Sequence, residues 1–349
     1  MRILLLPISF FYHIVLTIRH KLYDWHILKS TRFEKPVICV GNLNLGGTGK
    51  TPHTEYLINL LKDNYRVATL SRGYGRKTKG FKQAENTSTY EDLGDEPLQY
   101  FKKFPGIQVT VDEDRVDGVR KLIRSQYYPE VILLDDAFQH RRITAGLNIL
   151  LTEYGQLYTD DFLFPTGSLR DVKSAAKRAD IIVVSKTPKK LDESEKQQII
   201  NKLKPLENQV VFFSTLEYAP LKFLNVMAKQ TFSENADAVL AFCGIANPKP
   251  FVKELEKQYK SIDFLHFEDH HAYTENDIKV ILTRFENLDG KNKIIVTTEK
   301  DAARLINSPY LCQIETAPLY VLPVSIRFHE EEKFNKTILT YVRQNSHYC

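Results

Sequence analysis

A glycine-rich loop that follows a short apolar run constrains the fold of this 349-residue chain more than any other feature. Residues 37–40 (Val-Ile-Cys-Val) predict a buried strand, and the loop 46–51 (Gly-Gly-Thr-Gly-Lys-Thr) follows it closely. Because such a loop has almost no side chains, its backbone N–H groups can converge on polyphosphate oxygens. Lys50 would reach the β- and γ-phosphates, Thr51 would offer a hydroxyl to a metal ion, and the helix beginning there would add its positive dipole end. The candidate phosphate-binding residues are Gly46, Gly47, Thr48, Gly49, Lys50 and Thr51.

One position departs from the strict phosphate-loop pattern, which has glycine where this chain has Asn44. Asparagine tolerates left-handed backbone better than most residues, so the change weakens the match without breaking it. A glycine-rich turn without a ligand is the alternative interpretation. The Lys-Thr pair directly after the last glycine and the apolar strand before the loop favour the phosphate site.

Composition and charge exclude some classes of protein. Apolar residues make up 43% of the chain and charged residues 26%, as in soluble globular proteins. The 48 basic and 43 acidic residues give a net charge of +5, which suits phosphorylated ligands or anionic membrane surfaces but is too small to indicate nucleic acid. The four cysteines are scattered without metal-ligand spacing, so we expect a reduced, cytosolic-facing protein. No nucleic-acid partner and no obligate protein partner are predicted.

The N-terminus is unusually apolar. Residues 3–18 are mostly hydrophobic, but Pro7 and His13 interrupt them, and the segment falls short of the roughly 20 residues needed to span a bilayer. Basic and aromatic residues follow at once, from Arg19 to Trp25, and such residues suit the headgroup zone of a membrane. Two interpretations remain open at this point, a helix lying in the membrane interface and an ordinary helix packed on the protein core.

Alternating apolar runs and helical stretches predict an α/β fold with parallel sheets. In the first part of the chain, strands are predicted at 37–40, 66–70, 109–111, 131–134, 147–151 and 181–185. A second, similar pattern begins near Ala238 and ends with a predicted helix at 330–343. We therefore expect a membrane-interface helix in 1–30, a P-loop NTPase-like domain in 31–208, linker strands in 209–236 and a smaller α/β domain in 237–349. Functional residues should lie at the carboxyl ends of the parallel strands.

Two adjacent carboxylates end one of the predicted strands. The run 131–134 leads directly into Asp135 and Asp136, and in a P-loop protein this arrangement places acid beside the Lys-Thr pair. Magnesium prefers such hard oxygen ligands, and one or two carboxylates suffice because the ion keeps several waters. An aspartate-rich turn is the alternative, and which of the two aspartates would touch the metal stays open. Gln139 follows closely and could reach nucleotide.

Other segments offer groups for proton transfer or anion binding. Asp95 stands at a predicted helix start, where it is either an N-cap or a base that accepts a hydroxyl proton. His270 follows a strand of the second pattern, and it is either a satisfied loop histidine or one polarised by a carboxylate from the other part of the chain. The loop 71–76 carries Arg72 and Arg76 among small residues and could bind phosphate in a bidentate manner.

Taken together, these segments resemble the tetraacyldisaccharide 4′-kinases, the lipid A 4′-kinases of Gram-negative outer-membrane biogenesis. The matching segments, in the order of that family, are 40–42, 46–52, 70–76, 94–97, 135–141, 165–170, 269–271 with Tyr273, and 298–301. Ala137 stands where the family has glycine and Ser168 where it usually has proline, and both changes concern local loop shape rather than the reacting groups.

The resemblance implies ATP-dependent phosphorylation of the 4′-hydroxyl of a tetraacylated glucosamine disaccharide 1-phosphate. It implies ATP and Mg²⁺ as cofactors, direct phosphoryl transfer with Asp95 as base and His270 as its partner, and peripheral attachment to the cytoplasmic face of the inner membrane. The residues it points to are Asp95, His270 and Lys50 for catalysis, the loop 46–51 with Gln139 for nucleotide, Arg72, Tyr74, Arg115 and Arg170 for substrate, and Thr51, Asp135 and Asp136 for metal.

Two other classes of nucleotide-binding protein fit the sequence less well. A membrane-surface P-loop ATPase acting as a switch would have lysine before the two glycines, where this chain has Leu45. A GTPase-type module would have an Asn/Thr-Lys-x-Asp peptide that reads the base. Residues 298–301 (Thr-Glu-Lys-Asp) imitate it, but glutamate precedes the lysine and the peptide lies in the second pattern. The ATPase switch is retained as the alternative function.

Overall fold

Two mainly parallel sheets organise the chain. The computed structural model describes residues 5–224, 236–306, 310–314 and 316–346. Its strands are β1 (Thr31–Arg32), β2 (Val37–Asn42), β3 (Val67–Ser71), β4 (Lys82–Gln83), β5 (Gln108–Val111), β6 (Val131–Asp135), β7 (Ile143–Thr144), β8 (Leu147–Glu153), β9 (Ile181–Ser185), β10 (Val210–Tyr218), β11 (Lys222–Phe223), β12 (Ala238–Cys243), β13 (Ile262–His266), β14 (Lys293–Thr298), β15 (Leu319–Leu322) and β16 (Val324–Phe328).

Helices follow most of these strands. They are α1 (Leu6–Asp24), α2 (Lys50–Leu61), α3 (Tyr90–Leu93), α4 (Asp95–Lys103), α5 (Arg115–Ile123), α6 (Glu193–Leu203), α7 (Lys249–Glu256), α8 (Glu275–Glu286), α9 (Glu299–Ile306), α10 (Leu311–Ile314) and α11 (Glu331–Ser346), with 3₁₀ helices at Tyr158–Asp160 and Lys173–Arg178. Local capping fixes several helix starts. Asp114 accepts from the backbone N–H groups of Val116 and Asp117 at α5, and Thr274 and Asp277 form a capping box at α8.

The larger sheet has the strand order β16-β10-β9-β8-β2-β6-β3-β5-β4. Its seven inner strands are parallel, while β16 and β4 run antiparallel at the edges. Strands β2, β6 and β9 are buried along their whole length, which explains why they are continuous apolar runs in the sequence. Val40 of β2 is aligned with Asp135 of β6, so the phosphate loop and the two aspartates leave the same edge of the sheet.

The smaller sheet has the order β11-β15-β14-β12-β13, with only β11 antiparallel to its neighbour. Apolar clusters lie on both of its faces, one around Phe251 and Leu255 of α7 and the other around Ile278 and Ile281 of α8. We call this sheet with α7–α10 the small unit, and the nine-stranded sheet with its helices the large unit. The predicted α/β class, a P-loop-type parallel sheet with a second, smaller α/β unit, is confirmed.

The chain leaves the large unit and returns to it. The sequence predicts linker strands in residues 209–236. In the structure, β10 instead continues the nine-stranded sheet beside β9. Strand β16 pairs with β10, and α11 buries Phe334, Ile338 and Val342 in a core of the large unit, although the sequence placed 237–349 in the second domain. The sequence alone cannot show which sheet these segments join. Their partners lie far away along the chain, and their apolar patterns would suit either sheet.

Helix α1 packs on the large unit by one face only. Leu16 and Tyr23 are buried, whereas Phe10, Phe11 and Val15 are 62%, 68% and 61% exposed. Among the described residues, no helix combines the length and the apolar content that a bilayer crossing would need. The interpretation of a helix packed on the protein core holds for the buried face, and contact of the exposed face with a membrane stays a prediction.

Candidate active site

The phosphate loop joins β2 to α2 in the conformation that its glycines permit. Gly47 and Gly49 have φ angles of 81° and 82°, which residues with a Cβ rarely adopt, and α2 begins at Lys50 directly after Gly49. A Cβ added at Gly46 would meet nothing within 4 Å, so the loop borders open space. The side chain of Ser185, at the end of β9, donates to the carbonyl of Thr48 (2.8 Å) and braces the loop from below.

Lys50 lies inside a compact polar group at the loop. Its Nζ donates to Oδ1 of Asn42 (3.3 Å) and is 3.8 Å from Oδ2 of Asp136. Arg170 binds Asp136 through both of its terminal nitrogens and also donates to Asn42 (2.6 Å). Burial opposes the charged form of Asp136, but Lys50 and Arg170 outweigh it and hold the pKa of this carboxyl below its usual value. Asn42 also donates to Thr48 (2.8 Å), so it connects strand β2, the loop and both cations.

Asp135 differs from its neighbour because it lacks a cation of its own. Its Oδ2 accepts from the hydroxyl of Tyr100 (3.1 Å), whereas its Oδ1 is buried without a hydrogen-bond partner. Burial, the charge of Asp136 and then that of Glu96 raise the pKa of Asp135 to about 7. An orphaned buried carboxylate oxygen at the sheet edge that bears the phosphate loop fits Mg²⁺.

Among the described residues, no group of three or more His, Cys, Asp or Glu side chains is placed to hold a metal ion. Magnesium does not need one, since it binds through one or two carboxylates, substrate phosphates and water. Both oxygens of Asp136 already face Arg170, whereas Oδ1 of Asp135 has no partner, and which of the two would bind the metal stays a prediction.

A second polar group brings residues of both units together. Oδ2 of Asp95, at the start of α4, is 2.7 Å from Nδ1 of His270 and accepts from Nη2 of Arg304 (2.6 Å). Burial would raise the pKa of Asp95, but the bonds from His270 and Arg304, with the charge of Lys300, lower it to about 2. Asp95 is thus an ionised, buried carboxylate held by side chains of the small unit.

Besides Asp95, two other side chains contact the ring of His270. Its ring lies against Tyr74 with the ring centres 5.2 Å apart, and Nζ of Lys300 is 3.3 Å from its Nε2. Lys300 also pairs with Glu96 of α4 (3.1 Å). Backbone φ at His270 is 61°, a left-handed conformation that histidine adopts more readily than most residues. The loop therefore holds the ring toward α4.

Basic side chains collect between α1, α5 and the loop after β6. Arg115 is 2% exposed, donates to the carbonyl of Asp112 (2.6 Å), and has two guanidinium nitrogens, Nε and Nη2, without partners. Burial lowers its pKa to about 10, with Asp136 and Asp135 opposing that change and the exposed Arg72 adding to it. Burial, Arg115 and Arg72 also lower the pKa of His140 to about 4. This concentration of positive charge with unused donors suits a phosphate group.

Helix α1 is hydrogen-bonded to the same region. Arg19 donates to the carbonyl of Gln139 (3.0 Å), and the hydroxyl of Tyr12 donates to the carbonyl of Arg170 (3.1 Å). The side chain of Gln139 donates to the carbonyl of Asn42 (2.8 Å) at the end of β2. The apolar N-terminal helix is thus connected through short contacts to the phosphate loop.

Most of the sequence-predicted site residues fall into two connected groups. Lys50, Asp136, Arg170 and Gln139 meet around Asn42, and Asp95, His270 and Tyr74 meet where the small unit touches α4. Tyr100 links them, since it lies on α4 and donates to Asp135. The structure thus brings the predicted residues to one edge of the large unit, and their roles stay predictions.

Three side chains of this region, the buried Arg304 and His53 and the half-buried Lys103, could not be identified from the sequence. Arg304 bonds Asp95 and belongs to no motif. Lys103 of α4 pairs with Glu55 of α2 (2.8 Å) and with Glu299 of α9 (2.7 Å). This lysine therefore connects α2 and α4 of the large unit with the small unit. His53 lies between the carbonyl of Gly49 (2.7 Å) and Ser214 of β10 (2.9 Å). The only sequence signal for them is a charged or polar residue on the apolar face of a predicted helix.

Comparison with known proteins points to one family. The model of the family described as "LpxK: Tetraacyldisaccharide-1-P 4'-kinase" matches residues 1–343. A tetraacyldisaccharide 4′-kinase of Bacteroides thetaiotaomicron is 44% identical over 98% of this chain and 93% of its own length. A tetraacyldisaccharide 4′-kinase of Flavobacterium johnsoniae is also 44% identical, over 99% of this chain and 98% of its own.

A solved structure agrees with these sequence matches. The crystal structure of the "apo" form of LpxK from Aquifex aeolicus in complex with ATP superimposes with a TM-score of 0.75. It is 32% identical in sequence and covers 98% of this chain and 99% of its own. The resemblance drawn from the sequence motifs is confirmed, and the chain belongs to the tetraacyldisaccharide 4′-kinase family.

Proposed function

We propose that this protein transfers the γ-phosphoryl group of ATP to the 4′-hydroxyl of a tetraacylated glucosamine disaccharide 1-phosphate, a step of lipid A biosynthesis. The observation that carries the proposal is the contact between Asp95 and His270 (2.7 Å) at the start of α4, the helix whose Tyr100 donates to Asp135 at the sheet edge that bears the phosphate loop. A nucleotide switch needs no buried carboxylate of this kind, whereas transfer to an alcohol needs a proton acceptor. Family membership gives the ATPase alternative no further support.

The predicted site residues have distinct roles in the proposed reaction. The loop 46–51 holds the phosphates, and Lys50 offsets charge that develops on the transferring group. Asp95 accepts the proton of the 4′-hydroxyl while His270 holds its carboxylate in place. Arg115, with its two unused donors, and the exposed Arg72 are proposed to bind phosphate of the substrate. Mg²⁺, when bound at Asp135 and Thr51, would neutralise phosphate charge during the transfer.

The direct test is a phosphoryl-transfer assay with the purified full-length protein. We expect label from γ-³²P-ATP to appear on the tetraacyldisaccharide 1-phosphate, and ATP consumption to depend on that acceptor. ATP hydrolysis that is indifferent to the lipid, without labelled lipid, would contradict the proposal and favour the switch.

The metal site gives a separate prediction. In Asp135→Asn the Mg²⁺ concentration for half-maximal activity should rise about tenfold or more, because a neutral amide replaces the orphaned carboxylate oxygen. The amide oxygen can still accept from Tyr100, so we expect the fold to be retained. Activity is measured against Mg²⁺ concentration at saturating ATP. Glu130→Gln, before the other end of β6, is the matched control, and an Asp135→Asn enzyme with its wild-type Mg²⁺ dependence would remove Asp135 from this role.

We further propose that the protein attaches peripherally to the cytoplasmic face of the inner membrane through the exposed face of α1. Phe10, Phe11 and Val15 point away from the large unit, and the opposite face binds the loops that carry Gln139 and Arg170. A membrane-bound helix in this position would bring the lipid's sugar to the phosphate loop. The acyl chains would lie along the same apolar face.

Vesicle binding tests this attachment. Replacing both Phe10 and Phe11 by serine should lower partitioning onto phosphatidylethanolamine–phosphatidylglycerol vesicles by about tenfold or more, because two exposed rings no longer enter the lipid. Binding is measured by flotation. Phe223→Ser removes an exposed ring from the small unit (40% exposed) and should leave flotation unchanged. Equal flotation of the double variant and the wild type would exclude these rings as the anchor.

A further inference from the structure

The carbonyl of Gly244, directly after β12, organises two side chains of the small unit that reach Asp95. It accepts from Nη1 of Arg304 (3.0 Å) and from the backbone N–H of His270 (3.3 Å). A Cβ at Gly244 would lie 2.9 Å from the carbonyl oxygen of Glu268 and 3.3 Å from Nη1 of Arg304. A glycine is therefore needed here for Arg304 and the loop that carries His270, called the histidine loop below, to approach the same oxygen.

Arg304 is held rigidly for a side chain that contacts the other unit. It is 2% exposed, and its Nη1 donates to Oδ1 of Asp301 (2.9 Å). Asp301 is fully buried and accepts from the backbone N–H of Gly244 and the hydroxyl of Tyr273 (3.0 Å each). The guanidinium near the end of α9 is therefore already fixed by these bonds. It loses little side-chain conformational entropy when it contacts Asp95.

We propose that Arg304 is a positioning residue for the phosphoryl transfer: together with His270 it fixes Oδ2 of Asp95, so that Oδ1 is left to accept the hydroxyl proton. Both donors come from the small unit, whereas Asp95 belongs to the large one. The contact of the small unit with α4 therefore orients the base and keeps it ionised. This inference rests on the proposed kinase function.

The charges around Asp95 determine the expected pH dependence. Arg304, Lys300 and His270 face it from the small unit, and Tyr90 of α3 faces it from its own side, while Glu96 beside it is paired with Lys300. Losing the guanidinium removes a cation 2.6 Å from the carboxylate, so the pKa of Asp95 must rise. A base with a raised pKa becomes protonated at a higher pH. When the pH is lowered, the variant should therefore lose activity at a higher pH than the wild type.

The test compares Arg304→Met and Arg304→Lys in the full-length enzyme, with ATP and the tetraacyldisaccharide 1-phosphate as substrates. In Arg304→Met, kcat should fall about 100-fold because the base is misplaced. The acid limb of the kcat–pH profile should move up by about one to three pH units. The KM for ATP should stay near its wild-type value, and Arg304→Lys, which keeps the charge, should restore the acid limb and part of kcat.

A second variant distinguishes an effect on catalysis from loss of the folded structure. Arg304→Met leaves the buried Asp301 without its cation, so a double variant adds Asp301→Asn to remove that charge, and thermal unfolding is followed for the single and the double variant. A wild-type acid limb in the folded variants, or a kcat loss that Arg304→Lys does not relieve, would overturn the positioning role. Failure of the kinase proposal is distinguishable, because then the wild-type enzyme itself would label no lipid.

Discussion

Replacing Asp95 by asparagine is expected to lower kcat for phosphoryl transfer by about a thousandfold, the range of a lost general base. Asparagine has the same shape and can still accept from Arg304 and His270, but it cannot take the proton of the sugar hydroxyl. ATP affinity should be nearly unchanged, because the phosphates are held by the loop 46–51. Transfer of γ-³²P to the disaccharide gives kcat, and equilibrium titration of ATP gives its affinity.

Asp114→Asn provides the matched control. Asp114 is also an aspartate at a helix start of the large unit, where it caps α5, and asparagine caps helices equally well. This variant should retain wild-type turnover. Near-normal turnover of Asp95→Asn itself would remove Asp95 from the role of base.

Replacing Lys50 by alanine should have an effect of similar size and should also weaken ATP binding. The ammonium group is the cation that the loop places at the transferring phosphate, and loss of one such stabilising group costs about a hundredfold to a thousandfold in rate. Asp136 keeps its bonds to Arg170 in this variant, so the loop after β6 should remain in place. Labelled lipid is quantified under single-turnover conditions at saturating ATP.

Lys62→Ala is the control for this change, since Lys62 follows the opposite end of the same helix, α2. It should transfer phosphate at the wild-type rate. Undiminished transfer by Lys50→Ala would mean that the loop does not hold a reacting triphosphate, and the kinase proposal would lose its basis.

The sequence predicted the parts of this fold whose signal is local. Buried parallel strands such as β2 and β6 are continuous apolar runs, and polar residues directly after them mark the functional edge of the sheet. Lys50 and Asp135 could be found in this way. The pairing of Asp95 with His270 could be expected only from the family resemblance, because 175 positions separate these residues and no local pattern connects them.

Other features depend on the assembled fold and leave no local pattern. Arg304 reaches Asp95 only because β12, the histidine loop and α9 converge on Gly244. The Lys103 contacts join α2, α4 and α9, which no spacing rule relates. Charged residues on helices are mostly solvated, so a buried one cannot be recognised until its partners are placed.

The return of β16 and α11 to the large unit has a consequence for how the protein is made. Because these segments pair with the edge strand β10 and cover the core around Phe212, the small unit that precedes them must be synthesised before that sheet is complete. The phosphate loop is translated before the small unit, but an open strand edge and an uncovered apolar surface persist in the same sheet until β16 and α11 emerge. A newborn chain therefore acquires its finished nucleotide-binding scaffold only after the small unit has been synthesised.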